Sequence, residues 1–190
     1  MKDSLILNAL LLSYSKIFFS ENKITGVFIL LATFTVPVMG LCGLFAAIFG
    51  NGTAYCIGID RQSIRQGLYG FNCVLTGLAI GFFYGMSIKF FILLSLLCIL
   101  LTFLTLFLNN LFYQHLGFSA MSIPFNIITG LALLVGQLFT TIHPASAFKN
   151  LQWPYHFPVP IETFLSAMST ILFQGNILSG ILVSIGILFY

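Results

Sequence analysis

The sequence predicts an all-α, polytopic membrane protein: the first of two homologous halves, with re-entrant half-helices and broken helices, and then the start of the second. Three observations predict it. Hydrophobic residues make up 59% of the chain and charged residues 6%, and the mean hydropathy is +1.07. A soluble domain carries about 25% charged residues to coat its surface, so lipid has to coat this one. The apolar runs are interrupted by Pro37, Pro124 and several glycines, which break helices. Finally, SKIFFSENKITG at residues 15–26 returns as STILFQGNILSG at 169–180. At a constant offset of 154 the copies share Ser15/Ser169, Ile17/Ile171, Phe19/Phe173, Asn22/Asn176 and Gly26/Gly180. A long-period repeat in an apolar chain marks a protein built from two homologous halves. Residues 1–160 are therefore expected to form a first repeat with its connector, and 161–190 the truncated opening of a second.

The elements follow in order. Residues 4–19 are one apolar run of 16 residues, about 24 Å as a helix and short of a ~30 Å hydrocarbon core. A half-spanning or re-entrant helix is expected. Residues 24–58 are too long for one span, and Pro37 divides them into helices near 24–36 and 38–57. The polar stretch 58–66 (GIDRQSIRQ) precedes an apolar run at 71–86. Residues 88–108 form the cleanest spanning helix, with only Lys89 charged, and 109–117 read as a loop. Residues 118–140 contain SIPFN, which predicts a helix broken around Pro124. An aromatic, proline-rich connector at 141–160 holds Trp153 and Tyr155, residues suited to a membrane interface. Residues 161–174 and 176–190 then echo the first two helices. The basic residues are spread over several connections, so the positive-inside rule casts no vote on orientation.

Much is excluded. The net charge is +3 with no basic run, so no nucleic-acid partner is expected. Asp3 interrupts a basic N-terminus and the apolar pattern continues past Ser15, which argues against a cleaved signal peptide. Cys42, Cys56, Cys73 and Cys98 form no CxxC pair and read as packing residues, with no disulfide framework or metal site. With Asp3, Asp60 and two glutamates as the only acids, there are no paired carboxylates, nucleophile–base set or phosphate loop. No enzyme activity and no cofactor are expected. His115, His143 and His156 fall in predicted loops, and Asp60, Arg61 and Arg65 read as groups that cap or pin the loop before residue 67.

The segment GIDRQSIRQGLYGFNCVLTG at 58–77 resembles the urea transporter family, in which an acid–base pair and a second Arg lead into G-L-Y-G-[FY]-N-x-x-L-x-G. Gly67, Leu68, Tyr69, Gly70, Phe71, Asn72, Leu75 and Gly77 all fit. SIPFN at 122–126 is similar to the family's [TS]-L-P-F-N element, and the repeated S-x-x-x-F-x-x-N-x-x-[TS]-G is a third match. The three occur in family order and cover almost the whole chain.

The resemblance implies a channel-like path for urea between two inverted halves, in a trimer within the plasma (inner) membrane. A narrow apolar slot excludes ions by denying them hydration, while a flat neutral amide slides between its faces. Oxygen acceptors along one edge replace the water that urea's N–H groups lose. By motif position, Phe71 and Leu75 would supply slot walls; four residues apart, they share a helix face. Phe19 and Phe173 would sit near the constriction, and Ser122 would offer a hydroxyl or backbone oxygen at the break before Pro124. The same residue types also serve plain packing, and a serine on a membrane helix often bonds to its own backbone.

Three residues before the repeated Phe many family members carry Gln, where this chain has Lys16 and Thr170. Lysine only donates, so Lys16 could meet urea's carbonyl but not its N–H groups. A charge at membrane depth marks a functional site, and a lysine near the end of a short helix also snorkels to the interface; both readings of Lys16 stand. The expected function is passive transport of urea or a similar small neutral amide, with the missing wall supplied by another subunit or half. The alternative is a non-conducting truncated remnant or assembly subunit.

Overall fold

A computed structural model describes residues 2–84, 88–138 and 158–190. Nine α-helices are found among the described residues, and no strand element. They are α1 (Lys2–Ser15), α2 (Lys23–Thr33), α3 (Pro37–Ile57), α4 (Arg61–Arg65), α5 (Gly70–Phe83), α6 (Ile88–Leu116), α7 (Ile123–Leu138), α8 (Val159–Thr170) and α9 (Ile177–Leu188). A 3-10 turn, Lys16–Phe18, prolongs α1. By length and composition α3 and α6 are the two that can cross a bilayer, and α2, α5 and α9 are shorter apolar helices.

The α2/α3 break falls where Pro37 predicts it, with Pro37 in the first turn of α3, where a missing N–H costs nothing. Asp60 caps α4 by accepting from the Gln62 and Ser63 backbone N–H groups at 2.7 and 3.0 Å. Its pinning role is thus a helix cap. Neither Arg61 nor Arg65 forms an ion pair among the described residues.

Helix α5 is the axle of the molecule. Every residue from Gly70 to Gly81 is buried. It packs most extensively on α3, through small residues that let the two backbones approach. A Cβ at Gly77 would land on the Cys42 carbonyl and the Ala46 methyl. Around α5 lie two apolar clusters. One gathers Tyr14, Ile17, Ile29, Phe71, Leu75, Leu78, Leu172 and Val183, with Phe125 and Phe173 packed on it. The other joins α3, α5 and α6 through Cys42, Ala46, Cys73, Ile80, Leu94 and Leu101. Cys42, Cys73 and Cys98 are buried and unpaired, and Cys56 is exposed.

Two expectations are corrected. The predicted loop at 109–117 is helical as far as Leu116, so α6 has 29 residues and a length of about 43 Å. Asn109 does not end it, because its side chain is used inside the fold: Oδ1 accepts from Ser119 Oγ at 2.9 Å and the Ala120 N–H at 3.0 Å. Such tertiary bonds outweigh weak helix propensity. His115 accordingly lies in the last turn of α6. The helix expected from residue 118 starts instead at Ile123, with Pro124 in its first turn. The aromatic connector, with His143, Trp153, Tyr155 and His156, lies mostly outside the described residues.

The repeated segments fold alike. α1 packs on α2, α8 packs on α9, and α2 packs on α9. Asn22 caps α2 through the Ile24 N–H and Asn176 caps α9 through the Ser179 N–H. A Cβ at Gly26 would strike the Leu11 carbonyl and one at Gly180 the Leu165 carbonyl, positions that are again 154 apart. The two caps also reach across: Asn22 Nδ2 donates to the Phe189 carbonyl at 2.6 Å, and Asn176 Nδ2 to Thr35 Oγ1 at 3.0 Å. Each helix start thus meets the other helix's end, so α2 and α9 run antiparallel. Thr35 and Phe189 are themselves 154 positions apart.

Candidate functional site

Phe19 and Phe173 occupy the same unusual backbone. Both have φ 58°, the left-handed region that a bulky residue avoids. Local bonds hold the strain. The Phe19 N–H donates to the Lys16 carbonyl at 3.0 Å, and the Phe173 N–H to the Thr170 carbonyl at 2.9 Å. One residue on, Ser20 N–H reaches the Ser15 carbonyl and Gln174 N–H the Ser169 carbonyl. Strain kept by such support is a reason to suspect a role for the ring.

The rings differ in surroundings. Phe173 packs edge-on against Phe125, with centroids 6.2 Å apart and planes at 63°. Both rest on the cluster that holds Phe71 and Leu75. Phe19 is 53% exposed and opens onto a broad depression of about 870 Å³ with Asn22, Lys23, Ile24 and Tyr190. The structure therefore brings Phe71, Leu75 and Phe173 together and leaves Phe19 apart.

Ser122 is half-buried at the head of α7. Its carbonyl accepts the Asn126 backbone N–H at 3.1 Å and Asn126 Nδ2 at 3.2 Å. Its hydroxyl has no hydrogen bond among the described residues, which leaves the hydroxyl as the available oxygen. Thr170 is exposed, and its hydroxyl bonds back to the Ala167 carbonyl at 2.6 Å. Lys16 pairs with Glu21, Nζ to Oε1 at 2.9 Å, with its side chain 18% exposed and that of Glu21 74%. The Lys16 charge is thus partnered by a carboxylate that lies mostly in the open.

Sequence reasoning missed three residues here. Phe125 lay inside the SIPFN motif without being singled out. Gln174 is buried and bridges to the end of α2, donating to the Thr33 carbonyl at 2.8 Å and accepting from Thr35 Oγ1 at 2.7 Å. The available signal was a polar amide, Gln174, next to the repeated Phe173 where the first copy has Ser20. Asn72 sits inside GLYGFN, and the motif gave no hint of its partner.

A profile of the urea transporter family matches residues 7–190. The chain belongs to the urea transporter family. It is similar to urea transporter 1 of Rattus norvegicus, 27% identical over 149 residues that cover 73% of this chain and 38% of that protein. The chain thus spans well under half the length of this relative. Family membership agrees with the all-α fold and with an integral membrane protein, and the exposed face of α6 suits acyl chains: Ile88, Ile92, Leu96, Leu100, Phe103 and Phe107 follow at helical spacing.

Proposed function

We propose that this chain supplies one wall of a passive, channel-like path for urea or a similar small neutral amide. The observation that carries the reading is the gathering of Phe71, Leu75, Phe125 and Phe173 on one apolar cluster, with half-buried Ser122 three residues before Phe125 and its hydroxyl free to accept. Flat apolar surfaces suit a planar amide and deny ions their hydration. Ser122 Oγ would accept a urea N–H, reducing the cost of stripping water from that donor. Lys16, already engaged by Glu21, contributes a nearly neutral pair near Phe19 instead of a free cation. In this reading residues 161–190 open a second repeat, the path is completed by further polypeptide, and the assembly is a trimer in the plasma (inner) membrane.

The test is stopped-flow urea efflux from vesicles containing the chain, alongside cation conductance. Faster urea efflux with no added cation current supports the path; equal efflux with and without protein removes it. A second reading, an assembly subunit that does not conduct, is favoured by the exposure of Phe19. Its repeat mate is covered by Phe125, and no described residue gives Phe19 an equivalent ring contact. Efflux that appears only when a longer family member is co-reconstituted would favour this second reading.

A further inference from the structure

We propose that Asn72 is a positioning residue for this path: its side-chain amide clamps the Met121 carbonyl and so sets Ser122 at the head of α7. Only the role of Ser122 toward urea rests on the reading above; the clamp stands on geometry. Asn72 is wholly buried on α5, and its Nδ2 donates to the Met121 carbonyl at 3.1 Å across 49 residues of sequence. Met121 has φ 47°, a left-handed backbone that a side chain of its size does not adopt unaided. The turn before α7 is thus held from two sides. Asn109 of α6 binds Ser119 and Ala120, and Asn72 of α5 binds Met121, the residue before Ser122.

The other end of the Asn72 amide strengthens the case. Oδ1 is buried with no hydrogen-bond partner. A leucine there would carry no such penalty, so an asparagine buried in the first turn of an apolar helix needs a compensating task. Gripping Met121 is the one hydrogen bond its side chain makes among the described residues. Phe71, a wall residue, precedes Asn72 directly, so one turn of α5 both shapes the apolar face and places the oxygen at its edge. Thr76 and Thr129, Oγ1 to Oγ1 at 3.1 Å, tie the same two helices further along. The clamp therefore acts on the turn and not on the whole packing of α7.

The test uses the full chain with Cys56→Ser, which removes the exposed thiol and leaves Cys42, Cys73 and Cys98 buried. Ser122→Cys is then labelled with a small water-soluble maleimide. Asn72→Leu should change the labelling rate roughly fivefold, the effect of one lost buried hydrogen bond on a local opening equilibrium. Adding Met121→Gly, which takes positive φ without penalty, should return the rate toward the parent value; a mere packing defect at position 72 would not respond. An unchanged rate in Asn72→Leu, or no labelling of Ser122→Cys in the parent, overturns the proposal. If Asn72→Leu gives no monodisperse protein, recovery by Met121→Gly supports the clamp and failure to recover overturns it. Protection of Ser122→Cys by urea reports separately on the path. A missing protection with an intact Asn72 effect fells the path reading and leaves the clamp.

Discussion

The two copies of the repeated turn have one backbone and two fates. Around Phe19 and around Phe173 the chain makes the same left-handed residue, the same carbonyl bonds and the same asparagine-capped helix start. Yet Phe173 is packed against Phe125, and Phe19 faces an open depression. Twelve residues of pattern are enough to specify the turn. Whether its ring is covered depends on residues more than forty positions away in sequence, such as Phe125.

The sharpest way to break the equivalence is at the glycines. Gly26→Val and Gly180→Val each drive a side chain into a carbonyl on the preceding helix, Leu11 or Leu165. Backbone cannot yield as a flexible side chain can, so each should cost more than about 3 kcal/mol and abolish monodisperse protein in detergent. Size-exclusion profiles read the outcome. If one variant remains monodisperse, the two helix pairs are not packed alike.

Next in size is the contrast between the rings. Phe173→Ala removes an aromatic contact and opens space in the main cluster, so a loss of about 2 kcal/mol is expected for a partly buried ring. Phe19→Gly should leave stability unchanged or raise it by about 1 kcal/mol, since glycine accepts positive φ without penalty and little packing is lost. Thermal unfolding of both variants in one detergent makes the comparison. A Phe19→Gly loss as large as that of Phe173→Ala would mean that Phe19 is covered by another chain.

The repeat was legible in sequence because its residues do local work. Asn22 and Asn176 cap, Gly26 and Gly180 permit contact, and each acts within a few residues of its own position. The Pro37 break was legible for the same reason. What escaped depends on distance. Asn109 read as a loop residue because hydropathy cannot see that its amide is occupied by Ser119 and Ala120. The start of α7 was misplaced by five residues because the turn before it is held by α5 and α6, not by its own sequence. The antiparallel crossing of α2 and α9 appears only in contacts, and an unresolved charge bias left the orientation open. Of the candidate site, motif position picked out Phe71, Leu75 and Phe173, which share one apolar cluster, while the exposure of Phe19 and the pairing of Lys16 were not readable.

The reciprocal asparagines give a smaller effect with a definite asymmetry. Asn22→Ala and Asn176→Ala each lose a cap, worth about 1 kcal/mol, and one bond to the opposite helix. Asn176 is the more buried and shares Thr35 with Gln174, so its loss should be the larger. The sites lie at opposite ends of the α2/α9 pair, so the double variant should be additive within about 0.5 kcal/mol. A larger coupling would show that the crossing opens as one unit.

The smallest expected effect lies where the two copies differ most in chemistry, Lys16 against Thr170. The Lys16–Glu21 pair is short, but Glu21 is mostly in solvent, and pairs of this kind contribute about 0–1 kcal/mol. Lys16→Gln should therefore move stability by less than 1 kcal/mol, and a double-mutant cycle with Glu21→Gln should show a coupling that shrinks as salt is raised. Thr170→Val should be nearly silent, because its hydroxyl only bonds back into its own helix. A Lys16–Glu21 coupling that is large and insensitive to salt would place the pair away from water. The first copy of the turn would then be enclosed by a neighbouring chain, as Phe173 is enclosed by Phe125, and its open depression would be the half of a crevice that a neighbour closes.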